Sequence, residues 1–139
     1  MNIRLMKIGD YKQVVAVWKA AGLNLDPIGD SEEAVARLLQ LNPSSCFVAC
    51  MGTKITGAVL GAFNGKRLWI YHLGVLHKFQ GQGVGTALVE AVEMAAKQLK
   101  APKICLGVVL SNLRVMPFYL EAGYVAEGDA IWMSKVVLK

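Results

Sequence analysis

The chain has 139 residues, 55% hydrophobic and 18% charged, with 15 Lys plus Arg against 10 Asp plus Glu. That length suits one domain burying roughly two-thirds of its unfolded surface, and the apolar content excludes intrinsic disorder. Asn2 to Lys7, with Ile3 and Leu5 turned inward against Arg4, reads as a first strand. Asp10 and Gln13 form a capping-box pattern before a helix through Val14, Val17, Trp18 and Ala21 that Gly22 ends. Leu23 to Gly29 is a loop, and Asp30 with Glu33 repeats the capping pattern before Val35, Leu38 and Leu39. Three strands follow as a meander, Ser45 to Met51, Lys54 to Phe63 and Arg67 to Leu76, with turns at Gly52-Thr53 and Asn64-Gly65. A glycine-rich stretch, Gln80 to Gly85, leads into a helix from Thr86 to Leu99 with Val84, Ala87, Leu88, Ala91, Ala95 and Leu99 on one face. Lys103 to Val109 is nearly all apolar, the texture of a strand buried on both faces. Ser111 or Asn112 caps a short helix to Glu121, Gly123 stops it, and Ala130 to Val137 reads as a last strand.

The order β-α-α-β-β-β-α-β-α-β predicts an α/β fold, residues 1–139 as a single domain. Its sheet is mostly antiparallel, with one parallel strand pair made by the strand–glycine loop–helix–strand unit. The longest uncharged stretch, Leu38 to Thr53, contains Gln40, Asn42, Pro43, Ser44 and Ser45 and is too short and too polar to span a bilayer. Charges at Asp10, Lys12 and Lys19 rule out a signal-peptide pattern. A cytoplasmic protein without membrane contact is expected. The high apolar content points to an apolar ligand groove or a homodimer interface. Cys46, Cys50 and Cys105 are odd in number, lack a Cys-x-x-Cys pair and have no His beside them, so they read as packing residues, with neither disulfide nor metal. Four acids (Asp26, Asp30, Glu32, Glu33) and no base lie between Lys19 and Arg37. The remaining bases are scattered, without the clustered run or aromatic stripe of a nucleic-acid binder, so no nucleic-acid partner is expected.

The segment Val75-Leu76-His77-Lys78-Phe79-Gln80-Gly81-Gln82-Gly83-Val84-Gly85-Thr86 is the most informative in the chain. Glycines let successive backbone N–H groups converge, and the helix start adds partial positive charge, which together suit a phosphate. No Gly-Lys-Ser/Thr follows, so this is not a Walker loop, and the spacing is not the dinucleotide fingerprint.

Gln80-x-x-Gly83-x-Gly85 resembles the pyrophosphate signature of the GNAT N-acetyltransferase superfamily, and Asn112, Phe118-Tyr119 and Gly123-Tyr124 resemble its second signature. The element order matches from end to end, as in small stand-alone bacterial members. The resemblance implies a GNAT-like fold and acetyl-CoA-dependent transfer to a primary amine, small molecule or peptide. It implies pantetheine contacts at Leu73 and Val75, pyrophosphate contacts along Gln80, Gly81, Gln82, Gly83, Val84, Gly85 and Thr86, and a contact from Asn112. Tyr119 would be the general acid toward the leaving thiolate, with no covalent enzyme intermediate. The acceptor wall would comprise Trp18, Leu25, Asp26 and Tyr71, joined by Leu23 and Ile28.

The chain departs from the family in having neutral Gln80 and Gln82 where a basic residue is common, leaving charge assistance to Lys78 or Arg114. Where some members carry Glu or His on the third meander strand, Trp69 and Tyr71 stand here. Strand alternation sets His72 on the opposite face. The base is then either His72 or, as the expected route, a water chain to backbone carbonyls, unless a partly neutral acceptor avoids the step. The alternative is a non-catalytic acyl-CoA-binding module.

Overall fold

The computed structural model describes residues 1–138. These form two compact units, Met1–Leu106 and a shorter remainder from Gly107. The first holds β1 (Asn2–Leu5), α1 (Tyr11–Ala20), α2 (Glu32–Leu41), β2 (Phe47–Met51), β3 (Lys54–Phe63), β4 (Leu68–Val75), α3 (Val84–Gln98) and β5 (Ile104–Leu106). The strands form one sheet in the order β1-β2-β3-β4-β5. Neighbours are antiparallel except β4 and β5, which run parallel as the strand–helix–strand unit requires.

The sheet separates two apolar clusters. Val14, Val17 and Trp18 of α1 and Val35 of α2 meet Val48, Cys50, Ala58 and Leu60 on one face. Val84, Leu88, Val92 and Ala96 of α3 meet Ala49, Val59, Leu68, Ile70 and Val75 on the other. Central β3 is therefore buried continuously from Ile55 to Gly61, and each large side chain covered this way contributes roughly 1.5–3 kcal/mol. The apolar face of α3 is turned from the expected one: Val89, Val92 and Ala96 are buried, whereas Ala87 and Ala91 are only half-buried.

Several local expectations are corrected. β1 lies at the sheet edge and leaves Leu5 43% exposed. Asp10 does not cap with Gln13; it closes a 3-10 turn (Ile8–Asp10) by accepting from the Lys7 N–H and pairing with Arg4 at 2.8 and 3.0 Å. The second helix is capped by Ser31, whose hydroxyl accepts from the Ala34 N–H, which leaves Asp30 available for other partners. β5 is three half-buried residues long, since its ladder on β4 stops at the Ile70–Leu106 pair; Cys105 is accordingly half-buried. Cys46 and Cys50 are buried free thiols, and burial pushes the Cys46 thiol up to about 11.

The remainder holds a 3-10 turn (Leu110–Val115) and α4 (Met116–Glu121), with Pro117 in its first turn. Neither Ser111 nor Asn112 caps α4 with its side chain. The expected last strand is absent: residues 130–138 pair with no strand, and Ile131 and Met133 are each 90% exposed. Apolar alternation matches the texture of a strand, but it does not by itself add a segment to a sheet. No helix among the described residues is long and apolar enough to cross a membrane. No group of three His, Cys, Asp or Glu side chains among them could hold a metal.

Candidate active site

The site grows from the C-terminal end of β4. Beyond Ile70 the ladder to β5 has ended, while the ladder to β3 continues to Val75. The Leu76 N–H donates to the Thr56 carbonyl on β3 at 2.8 Å, so strand alternation turns the Val75 peptide groups toward the other edge. An extended ligand with amide groups can add to such an edge as a strand would. Leu73, two residues earlier, packs its side chain toward α3.

A 3-10 turn (His77–Phe79) carries the chain into the glycine loop. Gly81 and Gly83 have φ of 77° and 85°, the left-handed region, which costs a residue with a Cβ about 1–2 kcal/mol. Nothing lies within 4 Å of a Cβ built at either position, so backbone conformation and not crowding requires glycine. Gly83 caps α3 without any side-chain acceptor, leaving the first-turn N–H groups of Val84, Gly85 and Thr86 without intrahelical partners. Gly81, Gln82, Gly83 and Thr86 are exposed, while Val84 is buried and anchors the helix start. The ammonium groups of Lys54 and Lys78 lie 5.8 and 5.9 Å from the Phe79 ring centre, and no acidic residue occurs between Glu33 and Glu90. Converging donors, a helix N-terminus and nearby cations together can hold a pyrophosphate.

The two neutral glutamines have a structural use. Gln80 Nε2 donates to the Val75 carbonyl at 2.9 Å, and Gln82 Nε2 donates to the Lys78 carbonyl at 3.1 Å. Each ties the loop to the strand end or turn just before it and occupies a carbonyl that would otherwise repel an anion.

On the α1 side of β4 the expected acceptor wall is partly corrected. Trp18 is fully buried; its indole N–H donates to the Ala58 carbonyl at 3.3 Å, and it cannot touch an acceptor. It fits because residue 74 is glycine: a Cβ there would lie 2.9 Å from Trp18 Cδ1, with Ala21 and Leu23 close behind. Leu25 is half-buried, Asp26 and Ile28 are exposed, and Tyr71 is 46% exposed. Asp26 shapes its own loop, accepting from the Ile28 N–H at 3.0 Å.

His72 is not on the opposite face from Tyr71. The β3–β4 register shifts between Ala58 and Leu60, so β4 carries one extra residue opposite Val59. The bulge puts two consecutive side chains on one face. His72 has φ of 48°, uncommon for a residue with a side chain. Its ring lies tilted at 52° against that of Trp18, centroids 5.0 Å apart, and Nε2 meets Asp30 Oδ1 at 2.7 Å. The other Asp30 oxygen accepts from the Asp26 N–H at 2.7 Å, and the Tyr11 hydroxyl donates to the Asp30 carbonyl at 2.6 Å. Sequence reasoning placed Asp30 as a helix cap; only Ser31, the better-positioned hydroxyl next to it, hinted otherwise.

In the remainder from Gly107, Asn112 adopts φ −132°, ψ 39° and accepts from Arg114 Nε at 3.1 Å. Tyr119 is half-buried on α4 with its ring edge-on to Phe118 (5.1 Å) and Tyr124 (5.8 Å). Gly123 turns the chain at φ 95°, so that the Tyr124 N–H reaches back to the Tyr119 carbonyl at 3.0 Å. Burial pushes the Tyr119 phenol up to about 12, which keeps its proton in place at neutral pH.

Comparison with known proteins identifies the family and the fold. The Acetyltransferase (GNAT) family matches residues 15–124. An acetyltransferase of Pectobacterium atrosepticum is 33% identical over 139 residues, covering 100% of this chain and 97% of that protein. Among solved structures, Ard1 from Thermoplasma volcanium superposes with a TM-score of 0.81 at 20% identity, covering 91% of this chain and 84% of that one. The PaiA N-acetyltransferase of Thermoplasma acidophilum, in complex with coenzyme A, gives 0.79 at 16% identity, covering 91% and 92%.

Proposed function

The chain belongs to the acetyltransferase (GNAT) family and is an N-acetyltransferase by type, and from that premise we propose that it transfers acetyl from acetyl-CoA directly to a primary amine. The observation that carries this reading is the acid-free glycine cradle at the start of α3, directly continuous with the β4 edge that β5 leaves unpaired. The backbone from Gln80 to Thr86 would hold the pyrophosphate. The Val75 N–H, with the Leu73 peptide beside it, would receive the pantetheine arm. The coenzyme A bound by the Thermoplasma acidophilum protein supports this donor.

Acetyl-CoA supplies an activated thioester; the chain's task is to hold it and to manage protons. The departing sulfur is a thiolate whose ordinary thiol value is about 8.5. A phenol that holds its proton at neutral pH is available to protonate it, and Tyr119 occupies that place in the second motif, though the burial that holds the proton also makes the phenol a weaker acid. Its role and that of Asn112 rest on their positions in the second motif and on their own surroundings. Leu25, Asp26, Ile28 and Tyr71 offer an apolar surface with one carboxylate, suited to the stem and charge of a cationic amine.

Calorimetry with acetyl-CoA, using dephospho-CoA and ATP as controls, tests the cradle; stoichiometric micromolar binding of acetyl-CoA is expected. Replacing Tyr119 by Phe tests the acid. kcat is expected to fall about 10²–10⁴-fold with cofactor affinity unchanged. A Tyr119→Phe enzyme with full turnover would remove the assignment. Binding without thiol release toward any amine would leave only a cofactor-binding module.

A further inference from the structure

We propose that His72 is the general base of the transfer and that Asp30 is its positioning residue, the two forming a dyad assembled by the β4 bulge. The inference rests on the amine-acetylation reading above. An ammonium acceptor cannot attack a carbonyl until it loses a proton, so the site needs an acceptor for that proton beside the thioester.

Three observations converge on His72. The bulge swings it onto the face of β4 that carries Tyr71 and meets the loop between α1 and α2. It does so through a left-handed backbone that nothing in β4's own sequence demands, and strain of this kind gathers at functional sites. The ring is fixed on two sides, by Trp18 at 5.0 Å and by Asp30 at 2.7 Å.

The hydrogen bond also assigns the tautomer. A carboxylate only accepts, so in the neutral ring the proton sits on Nε2 toward Asp30 and the lone pair is on Nδ1. Among the described residues no protein group bonds Nδ1. No buried side-chain nitrogen or oxygen among the described residues lacks a partner, so Nδ1 reaches solvent. The ionisable group on the ring is Asp30 of the α1–α2 loop, whose carbonyl accepts from the Tyr11 hydroxyl and whose second carboxylate oxygen accepts from the Asp26 N–H. Asp30, with one oxygen on the Asp26 N–H and the other on His72, is held in a single orientation. The unpaired edge begins next to His72 on the same strand and leads through Val75 to the glycine loop, which puts the base on the element that would carry the donor.

The protons balance as follows. His72 Nδ1 takes one proton from the ammonium, directly or through one water. The neutral nitrogen attacks the thioester carbon, the C–N bond forms and the C–S bond breaks. The sulfur receives a proton from a general acid, the nitrogen's second proton restores that acid through solvent, and His72 releases its own to solvent. The products are the amide, CoA thiol and one proton.

The test compares His72→Gln and Asp30→Asn with the unaltered protein, by thiol release from acetyl-CoA. The acceptors are ammonium-type probes (a lysine peptide, a peptide with a free N-terminus, spermidine) and an arylamine that is neutral at pH 7. His72→Gln is expected to lower kcat/KM for the ammonium probe about 10²–10⁴-fold, with the deficit shrinking as pH rises toward that of the free amine. It should leave the arylamine rate within a few-fold and acetyl-CoA affinity unchanged. Asp30→Asn should show the same selectivity with a smaller loss, which a merely structural defect would not. Equal losses with both acceptor types, or full activity in His72→Gln, would overturn the dyad alone. No thiol release by the unaltered protein with any amine would sink the transfer reading and the dyad with it.

Discussion

The glycine loop and the loop between α1 and α2 flank the same strand yet are held in opposite ways. Anchors of the first are local: Gln80 reaches back five residues to Val75, Gln82 four to Lys78, and the Gln80 N–H three to His77. The second is held from a distance, by Asp30 on His72 across 42 residues and by the Trp18 indole on Ala58 across 40. A locally wired cradle depends little on the rest of the fold. A dyad closed by tertiary contacts depends on every side chain that sets the spacing between α1 and β4.

Substitutions at two glycines separate these regions, and the largest effect is expected at Gly74. A methyl there would press on Trp18 Cδ1 at 2.9 Å, which should cost about 1–3 kcal/mol of stability in denaturant unfolding. It should also lower turnover of ammonium acceptors while acetyl-CoA affinity holds. At Gly83, where φ is 85°, Ala should cost about 1–2 kcal/mol and weaken acetyl-CoA in calorimetry by about tenfold, with the acceptor preference untouched. If Gly74→Ala weakened the cofactor as much as Gly83→Ala, the two regions would not be independent.

The smallest effect sharpens the contrast between two aspartates. Asp10 is satisfied locally: hydrogen bonding from Arg4, then from the Lys7 N–H, holds its carboxyl below the ordinary value. A lowered folded value stabilises the fold above the unfolded carboxylate range, near pH 4, and the stabilisation is lost as pH falls through the folded value. Because Arg4 is 38% exposed, Asp10→Asn should cost about 1 kcal/mol near neutrality, the screening of a partly exposed pair included. The difference between the two proteins should vanish in acid, without any change in acceptor preference. A selective loss of ammonium turnover would place Asp10 in Asp30's role and break the distinction.

Legibility in the sequence followed the same division. The meander turns and the apolar run of β3 are legible because each is specified within a few residues, and the parallel β4–β5 pair follows from chain order, whereas the helix after the glycines begins at Val84, two residues before the expected Thr86. His72 was assigned the wrong face because period-two alternation holds only until an extra residue enters the strand, and nothing in Trp69-Ile70-Tyr71-His72-Leu73 announces the bulge. Asp30 was read as a cap because its distant partner is invisible at local range. Trp18 was read as lining for want of knowing that Gly74 opens a socket for it. The apolar runs at Lys103 to Val109 and Ala130 to Val137 gave composition without saying where hydrogen-bonded partners end.

The neutral side chains of Gln80 and Gln82 carry one more consequence. Because the cradle's shape is set by uncharged amide bonds, ionic strength does not loosen it. Counterions act only on the longer-range pull of Lys54 and Lys78 on an approaching polyphosphate, which fades over a screening length of about 8 Å at physiological salt. Under the proposed function, salt would therefore govern how quickly such a ligand arrives, while the duration of its stay would belong to the backbone donors.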